Sequence, residues 1–290
     1  MSHYIYKREK ELQLLKNIIE NNPKELWEDK LNDLRSYFLV YHLSSYRKNL
    51  VKVFDIKEND SVLEVGSSSG ILTEELIKKS KNVFCVENDN DLKQISMERI
   101  KDLKQNNFVN IKEFLYSNKK YDVITYVGSL RSYMILWGFS KAIPEFLKEN
   151  LKHLNENGKI YIADDNRLGF KYISGFKDKV SKKFFRSLEE NNMILSPKKM
   201  LSKMEWEEAL NKLDDVKYEI YYPYPSFEFP KYIYSDLYQP NAGELNINGM
   251  NYNDFRLHFL NDDKVIENFN QEGIFKTISN AFLIEIIKEN

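Results

Sequence analysis

Residues 61–70, SVLEVGSSSG, constrain this chain more than any other stretch. A short β-branched run ends in glycine and serine, and ILTEELIKKS then follows with apolar residues at helical spacing. Strand, tight bend and helix in that order form the opening unit of a parallel, doubly wound α/β sheet. Ligands of such sheets sit at the carboxyl ends of the strands, where the chain order reverses beside the first strand, and residues 66–70 fall there. Gly66 permits a turn that a side chain would block, Gly70 allows close packing onto the following helix, and the helix N-terminus offers unpaired N–H groups.

The alternation continues downstream. NVFCVEN (82–88) reads as a second strand, and DLKQISMERIKDL (91–103) as a helix carrying Leu92, Ile95, Ile100 and Leu103. FVNIKEF (108–114), YDVITYVG (121–128) and GKIYIAD (158–164) read as three more strands, with a helix from about Ile143 to Leu154 between the last two. Upstream, Leu12, Leu15, Ile18 and Ile19 recur at helical spacing before Pro23. Leu26, Leu31, Leu34, Phe38, Tyr41 and Leu50 then predict one or two further helices ending near Phe54. Residues 166–195 read as a mobile or partly helical insertion, 197–213 as a helix, 216–222 as a strand and 279–288 as a final strand. Between the last two lies a long stretch rich in Pro, Asn and Tyr, which either has a function of its own or hides further elements. The expected layout is a helical lead-in over 1–55, a ligand-binding core over 56–165, and a cap over 166–290 that also returns the last strands to the core sheet.

Composition narrows the function classes. The 43 basic and 44 acidic side chains of the 290 residues nearly cancel, so no global field draws the protein to a polyanion or an acidic membrane; nucleic acid is not the expected partner. The single cysteine, Cys85, cannot close an intrachain disulfide, and Cys/His metal-ligand spacing is missing, so no metal is expected. No run approaches the ~18 apolar residues of a membrane span, and the N-terminus lacks a signal-peptide core. The expectation is a soluble, cytoplasmic protein of open oligomeric state.

Glu87 ends the second strand about twenty residues past the glycine bend, the usual offset of an acid that accepts hydrogen bonds from both ribose hydroxyls of a nucleoside cofactor. Dinucleotide enzymes place glycine two residues after the first and again three later, whereas Ser68 and Ile71 stand there, which disfavours NAD. Glu64-x-Gly66-x-Ser68-x-Gly70 instead resembles motif I of class I S-adenosylmethionine-dependent methyltransferases, with serine for the middle glycine. YHLSSYRKNLVKVF (41–54), NRLGFKYISG (166–175) and YYPYPSFEFPKYIYSDLYQP (221–240) resemble a bacterial branch of that class often found with glycosyltransferases in surface-polysaccharide or secondary-metabolite loci. The resemblance implies a Rossmann-like core with a mostly parallel seven-stranded sheet, N-terminal helices, a C-terminal substrate cap and S-adenosylmethionine as cofactor. It also implies O- or N-methylation of a small-molecule, glycan or peptide acceptor.

On that resemblance Glu64, Gly66, Ser67, Ser68 and Gly70 line the methionine part of the cofactor, Glu87 holds the ribose and Asn88 flanks the adenine. Phe114, at the end of the expected third strand, either lies against the adenine or is plain core. Gly128 and Ser129 end the fourth strand where backbone carbonyls receive the cofactor's ammonium group. Tyr41 belongs to the helix expected to close over the cofactor. His42 beside it is the first candidate for a general base, against the reading of a structural histidine. Asp164 and Asp165 either orient the acceptor or cap the next segment. Arg167 suits a carboxylate or phosphate on the acceptor, or is a solvated charge, and with Tyr172 it is expected to help build a lid. The aromatic residues of 221–238 offer a platform for flat ligands or pack irregular structure.

Two rival functions stand ahead of the NAD(P)-dependent oxidoreductase, which ranks third. An rRNA adenine methyltransferase shares motif I and the acidic second strand, but holds its flipped base with an Asn/Asp-Pro-Pro-Tyr or Asn-Ile-Pro-Tyr string where this chain has VGSL (127–130). The other rival is a non-catalytic scaffold that keeps the fold and binds the cofactor only for stability.

Overall fold

The computed structural model describes residues 2–31, 36–103, 107–138, 143–178, 181–189, 200–245 and 256–289, with side chains from Lys7 onward. Leu34, residues 190–195 of the expected insertion and residues 197–199 of the expected helix lie outside these. The strands form one seven-stranded mixed sheet in the order β2-β1-β3-β4-β7-β5-β6. The chain divides into two compact units, Met1–Thr125 and Tyr126–Asn290.

In the first unit, β1 (Ser61–Val65) lies parallel to β2 (Asn82–Val86) on one side and to β3 (Tyr121–Val127) on the other. Val62, Leu63 and Val65 are all buried, as expected of a parallel strand covered on both faces. At its start, the Asp122 carboxylate accepts from the Ser61 N–H at 2.7 Å and the Ser61 hydroxyl at 2.8 Å, pinning the β1–β3 register.

The lead-in starts with α1 (Ser2–Asn21), longer than its apolar spacing indicates. The described residues of 24–52 include shorter pieces than expected: a 3-10 turn (Lys24–Leu26), α2 (Tyr37–Leu43), a second 3-10 turn (Ser45–Lys48) and one helical turn (Asn49–Lys52). Leu12, Leu15, Ile18 and Ile19 of α1 bury against Trp27, Leu39, Leu43 and Ile95.

Helices α3 (Ile71–Lys79) and α4 (Asn90–Ile100) follow β1 and β2 as expected. Asp89 caps α4, accepting from the N–H groups of Asp91 and Leu92 at 3.0 and 3.1 Å.

The expected third strand over 108–114 is corrected by the structure. Only Phe108 bridges to Cys85, in parallel sense, before the chain turns into α5 (Ile111–Tyr116). The cause is local: the Asn110 side chain accepts from the Lys112 N–H at 2.9 Å and caps a helix, an option that an aliphatic residue there would lack.

The second unit holds α6 (Leu130–Leu136), α7 (Ile143–Leu151), α8 (Phe170–Ile173) and α9 (Lys203–Leu210). Its strands are β4 (Leu154–Asp165), β5 (Val216–Tyr224), β6 (Tyr232–Tyr234) and β7 (Ala281–Lys288). β7 runs antiparallel to both β4 and β5, and β6 antiparallel to β5, so this half of the sheet departs from the parallel pattern. The Pro-, Asn- and Tyr-rich stretch contains β6, α10 (Asp262–Gln271) and α11 (Phe275–Ile278), which proline and polar residues conceal in the sequence. Tyr222, Tyr224 and Tyr234 are buried against Phe275, the packing reading of the aromatic stretch. Among the described residues, no helix is long and apolar enough to cross a membrane.

Glu285, buried in the middle of β7, accepts from the Tyr161 hydroxyl at 2.7 Å and the Tyr221 hydroxyl at 3.3 Å and pairs with Lys159 at 3.2 Å. Glu285→Ala removes the acceptor of the Tyr161 hydroxyl and the anion beside Lys159, while the Tyr221 hydroxyl keeps Glu219 at 2.6 Å, so chemical denaturation should show a loss of about 2–3 kcal/mol. A loss below about 0.5 kcal/mol, the range of an ordinary surface change, would contradict this reading.

Candidate functional site

The bend after β1 is tied to the end of β2. The N–H groups of Gly66 and Ser67 both donate to the Val86 carbonyl, at 2.8 and 3.3 Å, and the Gly70 N–H closes on the Ser67 carbonyl at 2.9 Å. Gly66 (φ +85°) and Gly70 (φ +79°) occupy the left-handed region, and Ser68 between them is held at φ +54°. A Cβ on Gly70 would lie 2.4 Å from the Ser96 hydroxyl, so Gly70 makes room for α4 rather than for its own helix.

Glu87 reaches back to this bend. Its Oε2 accepts from the Ser68 N–H at 2.6 Å and its Oε1 from the Asp89 N–H at 2.9 Å. Burial raises its pKa, opposed by N–H donors of Asp89, Ser68 and Asn88. A carboxylate has about four lone-pair sites, so three backbone donors leave capacity for a hydroxyl. Asn88 beside it is exposed. The Ser67 hydroxyl is buried and has no hydrogen-bond partner among the described residues, a position that costs about 1–3 kcal/mol until an acceptor or donor reaches it.

A second set of contacts fixes Ser69 from behind. His42 Nδ1 shares a hydrogen bond with the Ser69 hydroxyl at 2.9 Å, and Ser68 Oγ lies 3.5 Å from the same nitrogen. Arg99 Nε donates to the Ser69 carbonyl at 2.7 Å, and Arg99 Nη2 to the His42 carbonyl at 2.6 Å. Burial brings the Arg99 pKa down to about 10, with the Glu74 charge opposing, so the guanidinium remains charged at neutral pH. Glu74 is itself held by Lys24 at 2.7 Å and Lys48 at 3.3 Å.

His42 packs on Phe38 and Tyr41, with ring centroids at 4.3 and 5.2 Å. Burial, then the charges of Arg47, Arg99 and Arg8, push its pKa well below the usual histidine value. A neutral imidazole reluctant to accept a proton suits the structural reading better than the general base. Tyr41 lies under the Arg47 guanidinium, 3.5 Å from its ring centre, and its carbonyl accepts from Arg47 Nη1 at 2.9 Å.

Glu64 is buried below the bend, its Oε2 accepting from the Thr73 hydroxyl and lying 3.8 Å from Cys85 Sγ. Burial pushes its pKa up to about 7, with the nearby Glu87 charge adding and Thr73 and Arg47 opposing. Tyr41, His42, Glu64, residues 66–70 and Glu87 are thus gathered in the first unit. Phe114 is not at a strand end: it is fully buried on α5 against Tyr121, at 6.1 Å between ring centres.

In the second unit, Gly128 turns out of β3 at φ +69°, and its N–H donates to the Ala163 carbonyl of β4 at 2.8 Å. Ser129 follows and is buried. Asp164 and Asp165, at the end of β4, are neither free acceptors nor caps: Arg131 pairs with Asp164 at 2.6 Å, and Lys171 pairs with Asp165. Arg167 is paired with Glu205 at 2.6 Å and mostly buried, so it is not a solvated charge. Tyr172 is fully buried, with its hydroxyl on Met200 Sδ at 3.2 Å, which makes it core rather than lid. Ser69, Arg99 and Arg131 escape sequence reading. Arg99 is legible only as a charge on the apolar side of a helix that also carries Ile95.

The family model for ribosomal RNA adenine dimethylase matches residues 42–171, from His42 through the bend, Glu87 and the end of β4. Over these residues the chain is similar to a class I methyltransferase core. Among curated relatives, ribosomal RNA small subunit methyltransferase A of Thermotoga neapolitana is 34% identical over 137 residues, 44% of this chain and 49% of that protein. The protein of the same name from Persephonella marina is 45% identical over 67 residues, 23% of this chain and 24% of that one. This chain thus spans about half or less of the curated relatives it matches. The plantazolicin methyltransferase BpumL in complex with SAH aligns over 99% of this chain and 100% of its own, at 16% identity and a TM-score of 0.45.

These relatives overturn the expectation that nucleic acid is not a partner and that the acceptor is a small molecule, glycan or peptide. The argument from net charge fails because a sum over 290 residues averages out local patches. The argument from VGSL concerned one four-residue string inside a matched span of which it is a small part.

Two outcomes follow for the first unit. Gly70→Ala combines a left-handed φ with a Cβ overlap on Ser96 and should cost about 1–3 kcal/mol in denaturant titration; an unchanged midpoint would contradict the packing described. For Glu64, a folded pKa near 7 lies above the ordinary 4.5, so the folded state holds the proton more tightly and stability falls as pH rises from about 4.5 to about 7. His42 acts the opposite way below its ordinary value, so the comparison must be with Glu64→Gln. That variant should gain stability over wild type as pH rises through this window and hold a constant lead above it. A difference that does not change between pH 4.5 and 8 would contradict this.

Proposed function

We propose that this chain is an S-adenosylmethionine-dependent methyltransferase acting on RNA. The observation that carries the cofactor assignment is the bend itself: left-handed Gly66 and Gly70, an unpartnered buried Ser67 hydroxyl and the Glu87 carboxylate held against Ser68. A nucleoside with a polar amino-acid tail fits this set: a ribose hydroxyl suits the Glu87 carboxylate, and the tail suits the Ser67 hydroxyl. Motif I spacing and the match over 42–171 support the same cofactor. The names of the curated relatives support RNA as the acceptor.

When bound, S-adenosylmethionine supplies an electrophilic methyl group on a sulfonium. The chain's own contribution is positioning and exclusion of water. His42 holds the Ser69 hydroxyl and Arg99 its carbonyl, so that the bend needs little reorganisation on binding. None of the candidate bases is poised to take a proton: His42 is neutral and buried, and Asp164 and Asp165 are ion-paired. Transfer to a nucleophile by alignment alone accords with this. Val127, Gly128, Ser129 and Leu130 stand where adenine methyltransferases carry their Asn-x-Pro-Tyr string, so the base is gripped by different residues here.

Calorimetry with S-adenosylhomocysteine tests the cofactor half. Glu87→Ala should weaken binding by about 1.5–3 kcal/mol, the value of a hydrogen bond to a charged group, and Gly66→Val should abolish it in a folded protein. Unchanged affinity in both removes the bend from the site. For the acceptor half, labelled cofactor is incubated with purified small-subunit ribosomal RNA. Label in the RNA and salt-dependent binding are expected; neither appearing would contradict an RNA acceptor.

A further inference from the structure

We propose that the rings of Tyr232 and Tyr238 form a stacking platform for unpaired bases of the acceptor RNA; this rests on the RNA reading above and narrows it to single-stranded RNA. Tyr232 lies on β6, the last strand of the sheet, and Tyr238 in the loop that follows. Both rings stack on the fully buried Tyr234, at 6.0 and 5.6 Å between centres and with planes 29° and 26° apart. Tyr234 meets Phe275 edge-on at 5.4 Å, which ties the row to α11. Tyr232 and Tyr238 nevertheless keep 51% and 53% of their surface exposed. A ring used only for packing is covered, whereas these two are held in place and open to solvent. A base stacking on them orders little that is not already ordered.

An open cleft beside the rings is an independent sign of a ligand. It holds about 440 Å³, within the range of small-ligand sites, and Gln239, Asn270, Gln271, Phe275 and Lys276 line it. Gln239 directly follows Tyr238, and Phe275 is the residue on which Tyr234 packs, so rings and cleft form one surface. Asn270 donates to the Pro240 carbonyl at 3.1 Å and Gln271 to Glu267 at 3.2 Å, so each amide keeps its oxygen as an acceptor. Lys276 places one of its three donors on Asp236, at 2.9 Å. Donors and acceptors next to an aromatic face match the edge and the face of a base that is not paired. Lys276 and Asp236 offset each other's charge, so the platform works through ring faces rather than attraction to phosphate. This surface lies outside residues 42–171, the span of the family match, and its reading rests on its own residues.

The test compares Tyr232→Leu and Tyr238→Leu, which keep apolar bulk without a ring, with Tyr232→Phe and Tyr238→Phe, which keep the ring. Fluorescence anisotropy reads the binding of labelled single-stranded oligoadenosine and of its duplex with oligouridine. Each Leu variant should bind the single strand about tenfold more weakly, and each Phe variant within about twofold of wild type. The slope of log K against log salt should stay the same, because no phosphate contact is lost. S-adenosylhomocysteine affinity should hold in every variant, which also shows them folded. Leu variants that bind the single strand like wild type, Phe variants that lose as much as Leu, or an equal loss on the duplex overturn the platform and leave the RNA reading standing. So does a wild-type dimer that the Leu variants dissociate with RNA affinity intact, since the face is then a contact between two copies. Wild-type protein that binds neither form of RNA overturns the RNA reading and this proposal together.

Discussion

The hydrogen bonds on Ser69 are the constraint on which the rest of the first unit depends. His42 holds its hydroxyl and Arg99 its carbonyl, and Arg99 also holds the carbonyl of His42. A helical lead-in, a glycine bend and the helix after β2 are thereby locked to one residue. A bend with left-handed glycines has many conformations open to it in isolation. Fixing its middle from behind leaves its front, Ser67 and Ser68 with Glu87, in a single arrangement.

This arrangement concentrates buried charge. Arg99, Arg47 and Glu74 are all buried, and each has polar partners. The same basic cluster keeps His42 neutral, and the same burial keeps Glu64 partly protonated near neutral pH. The electrostatics of the site thus follow from how the lead-in is attached, not from any catalytic dyad. Chemistry that works by alignment is compatible with such a site.

The parts legible in the sequence were those with a strong local signature. The strand, bend and helix of 61–79, the second strand and its helix, β3, β4 and β7 all show a clear period or glycine punctuation. The 108–114 stretch misled because its apolar residues suit either period, and the Asn110 cap decided in favour of helix. The elements within 225–278 were hidden by proline and tyrosine, whose packing is a tertiary matter. Within the site, Glu87 and the glycines were legible because their spacing follows from the fold. Arg99 and Arg131 were not, because only folding brings them to Ser69 and Asp164. Arg167, Asp164 and Asp165 looked like available charges for the same reason: their partners Glu205, Arg131 and Lys171 are not identified by sequence distance. Nucleic acid was set aside as a partner on a whole-chain charge sum, a quantity that carries no spatial information, and the small-molecule, glycan or peptide acceptor was taken from the resemblance of three short strings.

A crystal structure of this chain with bound S-adenosylhomocysteine examines the central claim most directly. The account predicts a ribose hydroxyl within hydrogen-bond distance of the Glu87 carboxylate, a new partner for the Ser67 hydroxyl, and the His42–Ser69–Arg99 contacts unchanged. A ribose bound away from Glu87, or a bend that must break from Ser69 to admit the nucleoside, would contradict it.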